Sequence, residues 1–379
     1  MVSVPKDTRA SRVGRDASRD LSHIRVAIVF RDQPLHTIKA HDMSTIRWLR
    51  ISRALSHAGF SVDVIVNSEN GVCRKGPNLR YVPKSRVDWN RYDVVKTLFH
   101  TGFDALTAYG GDSHPFIISK LGSVVGSRDG IDGVHFYGRE REGFFETQRA
   151  IAGKSRYVTI LTEESSALWA REHGGGENIL RVPTGVDRMV PLPSRSPYRE
   201  FSEKIAVFIG NFYAGRQAEV NRLWQLKLND LGHLLRGKGI RLCVVGNGNS
   251  DLLDHRCVTY LGPVDHSRIW DYQYHANIGI VLAQGNIQHN ESSKIYYYLR
   301  TGLPVVSERP VPNNHLIHTT GLGYVAEFND SIMMADMIEA AANASWDSRP
   351  AIELMVKHHT WDDRVETYKQ LICRELSLI

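Results

Sequence analysis

Two hydroxyls and one cation, on Ser292, Ser293 and Lys294, stand at the predicted start of a helix. The first turn of a helix has N–H groups without intrahelical partners and a partial positive charge, so it suits a phosphate. Either serine could instead cap the helix and leave Lys294 solvated, which is the ordinary structure of such a segment. Gly302 and Pro304 end the predicted helix before an apolar strand. These residue types indicate a phosphate-binding helix start, with a plain capped helix as the alternative.

Glycine-rich turns after three predicted strands provide further candidate contacts for a nucleotide. The loop 210–217 contains Gly210, which lets the backbone approach a phosphate, and Arg216, which supplies a counter-charge. The turn 246–248 has the same character with a weaker signal, because glycine pairs after strands are common. Val264 follows a Gly-Pro pair and could present its backbone N–H to a flat base. Ordinary turns are the alternative at each place.

The candidate for proton transfer is a carboxylate in a polar loop of the first half of the chain. Asp129 and Asp132 lie among glycines after an apolar stretch, where one of them could act as a general base. An Asp-rich and Gly-rich turn is the alternative. The histidines show no metal-binding spacing, and the four cysteines form no Cys-x-x-Cys pair. The sequence therefore predicts no metal site, no cofactor and a reducing compartment.

The elements that must position these residues alternate between strand and helix patterns throughout the chain. Residues 1–23 are polar and are predicted to be a disordered tail. The alternation predicts an α/β fold with two tandem Rossmann-like domains, 24–190 and 200–358, separated by a proline-rich linker. A final helix lies within 359–379. Ligands are expected in the cleft between the domains, at the carboxyl ends of the strands.

The loop after the first predicted strand, together with the helix that follows it, is the expected region for acceptor binding. The first strand is expected at 24–30 and a polar loop at 31–43, whereas 116–119 could be either helix or strand. Lys39 in this loop and three residues of the following helix, Arg47, Trp48 and Arg50, could meet a lipid-diphosphate headgroup. A solvated basic helix face is the alternative. The net charge of +6 fits anionic small ligands or an anionic membrane face and does not by itself indicate nucleic acid.

Five short motifs, in this order, resemble those of GT-B glycosyltransferases with a family 4-like C-terminal domain. They are Thr184-Gly-Val-Asp187, Val207-Phe-Ile-Gly210 with Arg216, Val244-Val-Gly-Asn-Gly248, Tyr260-Leu-Gly262, and Lys294 followed by Tyr298-Leu299 and Gly302-Leu-Pro-Val-Val306. The resemblance covers about 24–375. It implies a GT-B fold whose final helix crosses back to the first domain. It also implies that the donor nucleotide binds the second domain.

One departure from the family pattern concerns the two glutamates that many retaining members carry. Tyr297 and His289 stand at those positions, and Glu291 is nearby but out of register. The Ser-Ser-Lys form is more similar to the glucuronosyltransferase of xanthan side-chain assembly, in which these residues hold the donor diphosphate. In that resemblance Asp129, within Ser127-Arg-Asp-Gly130, is the inverting base. The donor-binding residues that we predict are Gly210, Arg216, Val264, Glu291, Ser292, Ser293, Lys294 and Tyr297.

The resulting hypothesis is a metal-independent glycosyltransferase that moves a sugar from a nucleotide-diphosphate sugar, of UDP type, to a glycan, lipid-linked or other hydroxyl acceptor. Polysaccharide biosynthesis in the cytoplasm, with peripheral contact to the inner face of the membrane, is the expected setting. A sugar-nucleotide epimerase of the same fold and a non-catalytic binding protein are the alternatives. The epimerase would release UDP without an acceptor, and the binding protein would take up no nucleotide.

Overall fold

Two parallel β-sheets flanked by helices make up the protein in a computed structural model. The structure describes residues 20–34, 43–68, 70–121, 125, 141–212, 218–283 and 290–378. The predicted α/β class with two Rossmann-like sheets is confirmed. No helix in the described part of the chain is long and apolar enough to cross a lipid bilayer.

The first sheet has eight strands in the order β3-β4-β2-β1-β5-β6-β7-β8, all parallel except β3, which is antiparallel to β4. Its strands are Arg25–Pro34 (β1), Ser61–Asn67 (β2), Cys73–Gly76 (β3), Leu79–Pro83 (β4), Val94–Leu98 (β5), Ile117–Lys120 (β6), Tyr157–Ile160 (β7) and Ile179–Arg181 (β8). The helices between them are Met43–His57 (α1), Phe99–Ala108 (α2), Arg141–Lys154 (α3) and Glu163–His173 (α4).

The second sheet has six parallel strands in the order β11-β10-β9-β12-β13-β14. They are Lys204–Ile209 (β9), Ile240–Val245 (β10), Val258–Gly262 (β11), Ile278–Val281 (β12), Val305–Glu308 (β13) and Gly323–Ala326 (β14). The helices of this half are Ala218–Arg236 (α5), Ile269–Tyr274 (α6), Ser293–Thr301 (α7), His315–Thr320 (α8), Ser331–Asn343 (α9) and Arg349–His358 (α10). The chain order reverses between β9 and β12, and ligands of open α/β sheets typically bind at such a reversal point.

Both sheets are covered on both faces, which explains why their strands are apolar runs. In the second sheet one face packs against α5 and α9, and the other carries the apolar core that includes α7 and α10. Gly279 in β12 belongs to this second face, because a Cβ there would lie 2.4 Å from the Tyr298 ring. The tyrosine can therefore pack flat on the strand, which fixes α7 close to the sheet.

The last helix, Trp361–Glu375 (α11), packs on the first sheet although it follows the second in the chain. Thr360 and Asp363 form a capping box at its start. The chain crosses between the sheets twice at this place, because Val186 and Thr360 are paired in a parallel β-bridge. The side chain of Tyr368 is fully buried in the core that α11 shares with α1.

Several element boundaries differ from the sequence predictions. The first strand continues to Pro34, four residues into the predicted loop. The ambiguous segment 116–119 is a strand, because β6 lies between β5 and β7. The hairpin β3–β4 and the helices α8 and α10 were missed. They lie among prolines and charged residues, where hydrophobic periodicity is short.

Candidate functional site

The start of α7 lies at the carboxyl edge of the second sheet with its first turn free of a side-chain cap. Ser292 is the N-cap residue, and its hydroxyl makes no capping hydrogen bond, unlike in the alternative of a plain capped helix. Its backbone is held instead by Asn313, whose side chain accepts from Ser292 N at 2.8 Å and donates to Ser292 O at 2.9 Å. The helix start is thus fixed in place while the serine hydroxyls and the first N–H groups remain available to an anion.

Lys294 lies in this first turn, and its side chain runs along Gly210 at the end of β9. A Cβ on Gly210 would come within 3.1 Å of the Lys294 Cε atom. The ammonium lies 4.9 Å from the centroid of the Phe208 ring and 5.3 Å from that of Trp224. Burial lowers the pKa of Lys294 to about 8. The predicted donor residues Gly210 and Lys294 are therefore in contact, and the cation lacks much of its hydration.

The turns after β9, β10 and β11 touch one another through their backbones. Gly210 N donates to Val245 O at 2.9 Å, and Gly246 N donates to Gly262 O at 3.0 Å. A Cβ on Gly246 would lie 1.8 Å from Gly210 O, and one on Gly248 would lie 1.6 Å from Phe212 O. Only glycine permits this packing, which brings the three predicted glycine motifs together next to Lys294.

Val264 and Tyr297, two further predicted donor residues, lie in different surroundings. Val264 is half-buried after β11 and packs at the margin of the apolar core. Tyr297 is buried, stacks on Trp270 with ring centroids 5.3 Å apart, and contacts His266 edge-on at 5.9 Å. Burial, chiefly, raises its pKa. The aromatic contacts account for the burial of the Tyr297 ring, and they give Tyr297 a packing role that the sequence comparison did not indicate.

Glu291 precedes the helix start and links it to the crossover between the sheets. One carboxylate oxygen accepts from Thr184 N at 2.6 Å, and the other accepts from the Tyr296 hydroxyl at 2.9 Å. Thr184 also binds Arg47 through its hydroxyl at 2.8 Å and Arg364 through its carbonyl at 3.1 Å. Every polar group of Thr184 thus bonds a different element. The Thr-Gly-Val-Asp motif was the sequence signal for this junction, but its partners could not be read from it.

Two lysines of the first sheet lie buried beside this junction. Lys120 donates to Val182 O at 3.0 Å, and burial together with the charges of Arg47 and Lys96 holds its pKa well below the usual range. Lys96 places its ammonium 3.9 Å from the Tyr368 ring centroid, and within the described residues its Nζ has no hydrogen-bond partner. Burial lowers the pKa of Lys96 to about 7. Both lysines therefore lie at the junction between the two domains, next to Thr184 and its partners.

The predicted basic face of α1 is packed inside the protein instead of facing a headgroup or solvent. Trp48 stacks on Phe30 with centroids 5.0 Å apart and is almost fully buried. Arg47 bonds Thr184, and Arg50 pairs with Asp187 at 2.7 Å. The reason is that α1 faces the crossover, where the Thr184 hydroxyl and the Asp187 carboxylate accept hydrogen bonds from the two arginines. Asp129, Asp132, Arg216 and Lys39 lie outside the described residues.

Comparison with solved structures places this geometry in a known fold. Sucrose-phosphate synthase from Thermosynechococcus elongatus matches with a TM-score of 0.69 at 14% identity, covering 94% of this chain and 100% of that chain. HepE from Anabaena, solved with UDP and glucose, matches with a TM-score of 0.64 at 11% identity over 94% and 100%. WaaG, a glycosyltransferase involved in lipopolysaccharide biosynthesis, matches with a TM-score of 0.58 at 15% identity over 94% and 98%.

No family model and no curated protein sequence matches the chain. The structural matches nevertheless span nearly the whole of both chains. The prediction of a GT-B fold is confirmed: this chain has the two-domain fold of the GT-B glycosyltransferases.

Proposed function

We propose that the protein is a glycosyltransferase that uses a nucleotide-diphosphate sugar, of UDP type, and a hydroxyl acceptor. The observation that carries this proposal is the start of α7. There an N-cap serine without a capping bond and the partly dehydrated Lys294 lie against Gly210 at the reversal point of the second sheet. Helix N–H groups, two hydroxyls and a cation form the donor set that a diphosphate requires.

In the proposed complex the diphosphate contacts Ser292, Ser293 and Lys294. The positive charge of Lys294 and of the helix start stabilises the leaving nucleotide as its negative charge develops, which is the role that a divalent cation fills in other transferases. Val264 N contacts the base, and Arg216 closes over the phosphates from the loop that follows Gly210. UDP, which is bound in the HepE complex, is the nucleotide that this proposal names.

The acceptor side of the proposal involves the first domain. Asp129, which follows β6 in the chain, takes the proton of the attacking hydroxyl in an inverting displacement. The acceptor is a glycan or lipid-linked hydroxyl in polysaccharide biosynthesis, bound on the first domain near 31–43, and peripheral contact with a membrane face is part of the same proposal. Closure of the two domains excludes water from the transfer.

The first experiment is a thermal-shift and calorimetric screen of the full chain with UDP, GDP and ADP. We expect UDP to raise the midpoint and to bind without added divalent cation, with EDTA as the matched control. If the protein binds none of the three nucleotides, the result contradicts the transferase proposal and favours the alternative of a non-catalytic binding protein. A strict requirement for a divalent cation would contradict the role given to Lys294.

The second experiment separates transfer from epimerisation. The protein is incubated with a panel of UDP-sugars, with and without lipid-linked and oligosaccharide acceptors, and UDP release and product are measured. Acceptor-dependent release supports the transferase, whereas release without acceptor, together with an epimerised sugar, identifies the epimerase. Asp129→Asn should abolish transfer and leave UDP affinity unchanged, and full turnover by that variant would remove Asp129 as the base.

A further inference from the structure

A cluster of three different ligand types lies on the second domain, away from the cleft. His233 in the last turn of α5, Asp254 and Cys257 bring an imidazole nitrogen, a carboxylate oxygen and a sulfur within 4.8 Å of one another. The His233 Nε2 and Asp254 Oδ2 atoms are 3.2 Å apart. The cluster lies just before β11 begins, at the opposite end of that strand from Gly262. It is therefore separate from the candidate nucleotide site.

The backbone around the cluster is held by one residue of α5. Asn229 accepts from Asp254 N at 2.8 Å through its side chain and donates to Leu252 O at 2.8 Å. Its backbone carbonyl accepts from the Cys257 thiol at 3.6 Å. Cys257 N also donates to Asp254 O at 3.0 Å, which closes an Asp-x-x-Cys turn. The carboxylate and the thiol therefore lie on one tight turn, facing the helix that carries His233.

The geometry is close to that of a tetrahedral metal centre. Zinc bonds nitrogen and carboxylate oxygen at about 2.0–2.2 Å and sulfur at about 2.3 Å, so ligand atoms lie roughly 3.3–3.7 Å apart. The His233–Asp254 distance of 3.2 Å is within about 0.1 Å of the lower end of this range. The sulfur needs to move by about 1 Å at most, and its hydrogen bonds to two carbonyls are long enough to yield. Imidazole, carboxylate and thiolate together select a borderline-soft ion over magnesium or calcium.

A competing cation already occupies one side of the carboxylate. Arg256, whose side chain is 82% exposed, donates to Asp254 Oδ1 at 2.9 Å and to Oδ2 at 2.7 Å. The main cause that lowers the pKa of Asp254 is its hydrogen bonding with the Arg256 guanidinium, so the carboxylate is ionised. A metal ion must displace this exposed arginine, which costs little because solvent-exposed ion pairs are weak.

We propose that His233, Asp254 and Cys257 form a binding site for a zinc-class divalent ion that joins the end of α5 to the start of β11. Binding forms three protein–metal bonds and releases the thiol proton of Cys257 to solvent, and water completes the coordination. The bound ion stabilises the second domain by cross-linking α5 to the start of β11, and it takes no part in sugar transfer. The cluster has neither a Cys-x-x-Cys pair nor paired histidines, because its turn is Asp-x-x-Cys and its histidine lies on a preceding helix, so these sequence patterns do not reveal it.

The test uses the full chain, stripped with chelator and titrated with Co²⁺. We expect one equivalent to bind with a thiolate-to-cobalt absorption band, and Zn²⁺ to displace it and to raise the thermal midpoint. Cys257→Ser should lose the band, and His233→Ala should weaken binding at least tenfold. His255→Ala, in the same turn but outside the cluster, should bind as the wild type does. Arg256→Gln should bind more tightly, because it frees the carboxylate.

Each outcome decides the proposal. A wild-type chain without the absorption band, or a band that persists in Cys257→Ser, overturns the site, and Cys73→Ser shows whether the half-buried cysteine elsewhere is its source. Weaker binding in Arg256→Gln would also count against it, because the arginine would then be a supporting residue. Circular dichroism of each variant separates loss of the site from loss of the fold. Nucleotide binding is measured in parallel, and it should be unchanged in all of these variants.

Discussion

Replacing Lys294 by methionine tests the proposed phosphate contact, because methionine keeps the apolar stem and removes the charge. Lys294 is a partly dehydrated cation that lies beside two aromatic rings. A bound diphosphate would give its ammonium the hydrogen bonds that water does not supply in the free protein. A hydrogen bond to a charged group contributes about 1.5–3 kcal/mol. Lys294→Met should therefore weaken UDP binding roughly 10- to 150-fold at pH 7.

The pH dependence of the same variant is more specific than the loss of affinity. In the free protein the pKa of Lys294 is about 8, so the ammonium loses its proton as the pH rises above that value. UDP binding by the wild type should be constant below pH 8 and weaken above it, by up to about tenfold per pH unit, because the bound phosphates favour the protonated form. Above pH 8, binding should also take up a proton.

Isothermal titration calorimetry at pH 7 and 9, in buffers with different ionisation enthalpies, measures both the affinity and the proton uptake. The exposed Lys357 provides the matched control Lys357→Met, which should behave as the wild type does. Lys294→Met should remain folded, since its lysine is better accommodated without charge. Equal affinities of wild type and Lys294→Met at pH 7, or equal pH dependence in both, would refute the reasoning.

Three further predictions concern stability. Lys96 is buried, with its pKa lowered from 10.5 to about 7, so the folded state binds fewer protons than the unfolded state between those values. The free energy of unfolding should rise with pH across that window by up to about 1.4 kcal/mol per unit. Lys96→Met should remove this dependence and be more stable than the wild type at pH 7 in urea titrations, with Lys357→Met as control; a less stable variant would contradict the burial argument. Gly246→Ala should cost about 1–3 kcal/mol and abolish UDP binding, because its Cβ would meet Gly210 O at 1.8 Å. Gly153→Ala, in helix α3 with open space around it, should instead be stabilising by about 0.5–1 kcal/mol, and thermal melts compare the two signs.

The sequence was informative wherever one local pattern determines one local structure. The alternation of strands and helices predicted the fold, and the glycine turns and Gly302, with its φ of 73°, are explained by local backbone requirements. Contacts between distant residues could not be predicted in this way. The start of α7 is an example, since the backbone of Ser292 is held by Asn313, which comes after β13 in the chain. No residue near Ser292 signals that its hydroxyl is left without a capping bond.

The partners of the basic residues of α1 could not be predicted from the sequence either. Arg47 and Arg50 have the pattern of a solvated helix face, and only the position of the crossover reveals Thr184 and Asp187 as their partners. Charge patterns along a helix indicate which side is polar, but that side can face either solvent or a polar junction inside the protein. The metal cluster is similar, because His233 and the Asp-x-x-Cys turn meet only after α5 has packed on the sheet.

The return of α11 to the first sheet has a consequence for how the protein is made. A ribosome synthesises the chain from its amino end, so the residues that complete the core of the first sheet, among them Tyr368 and Ile372, emerge after the whole of the second sheet. Until then the apolar surface beneath them, next to α1, has no cover. The core of the first sheet can therefore be completed only after every strand of the second sheet has been synthesised.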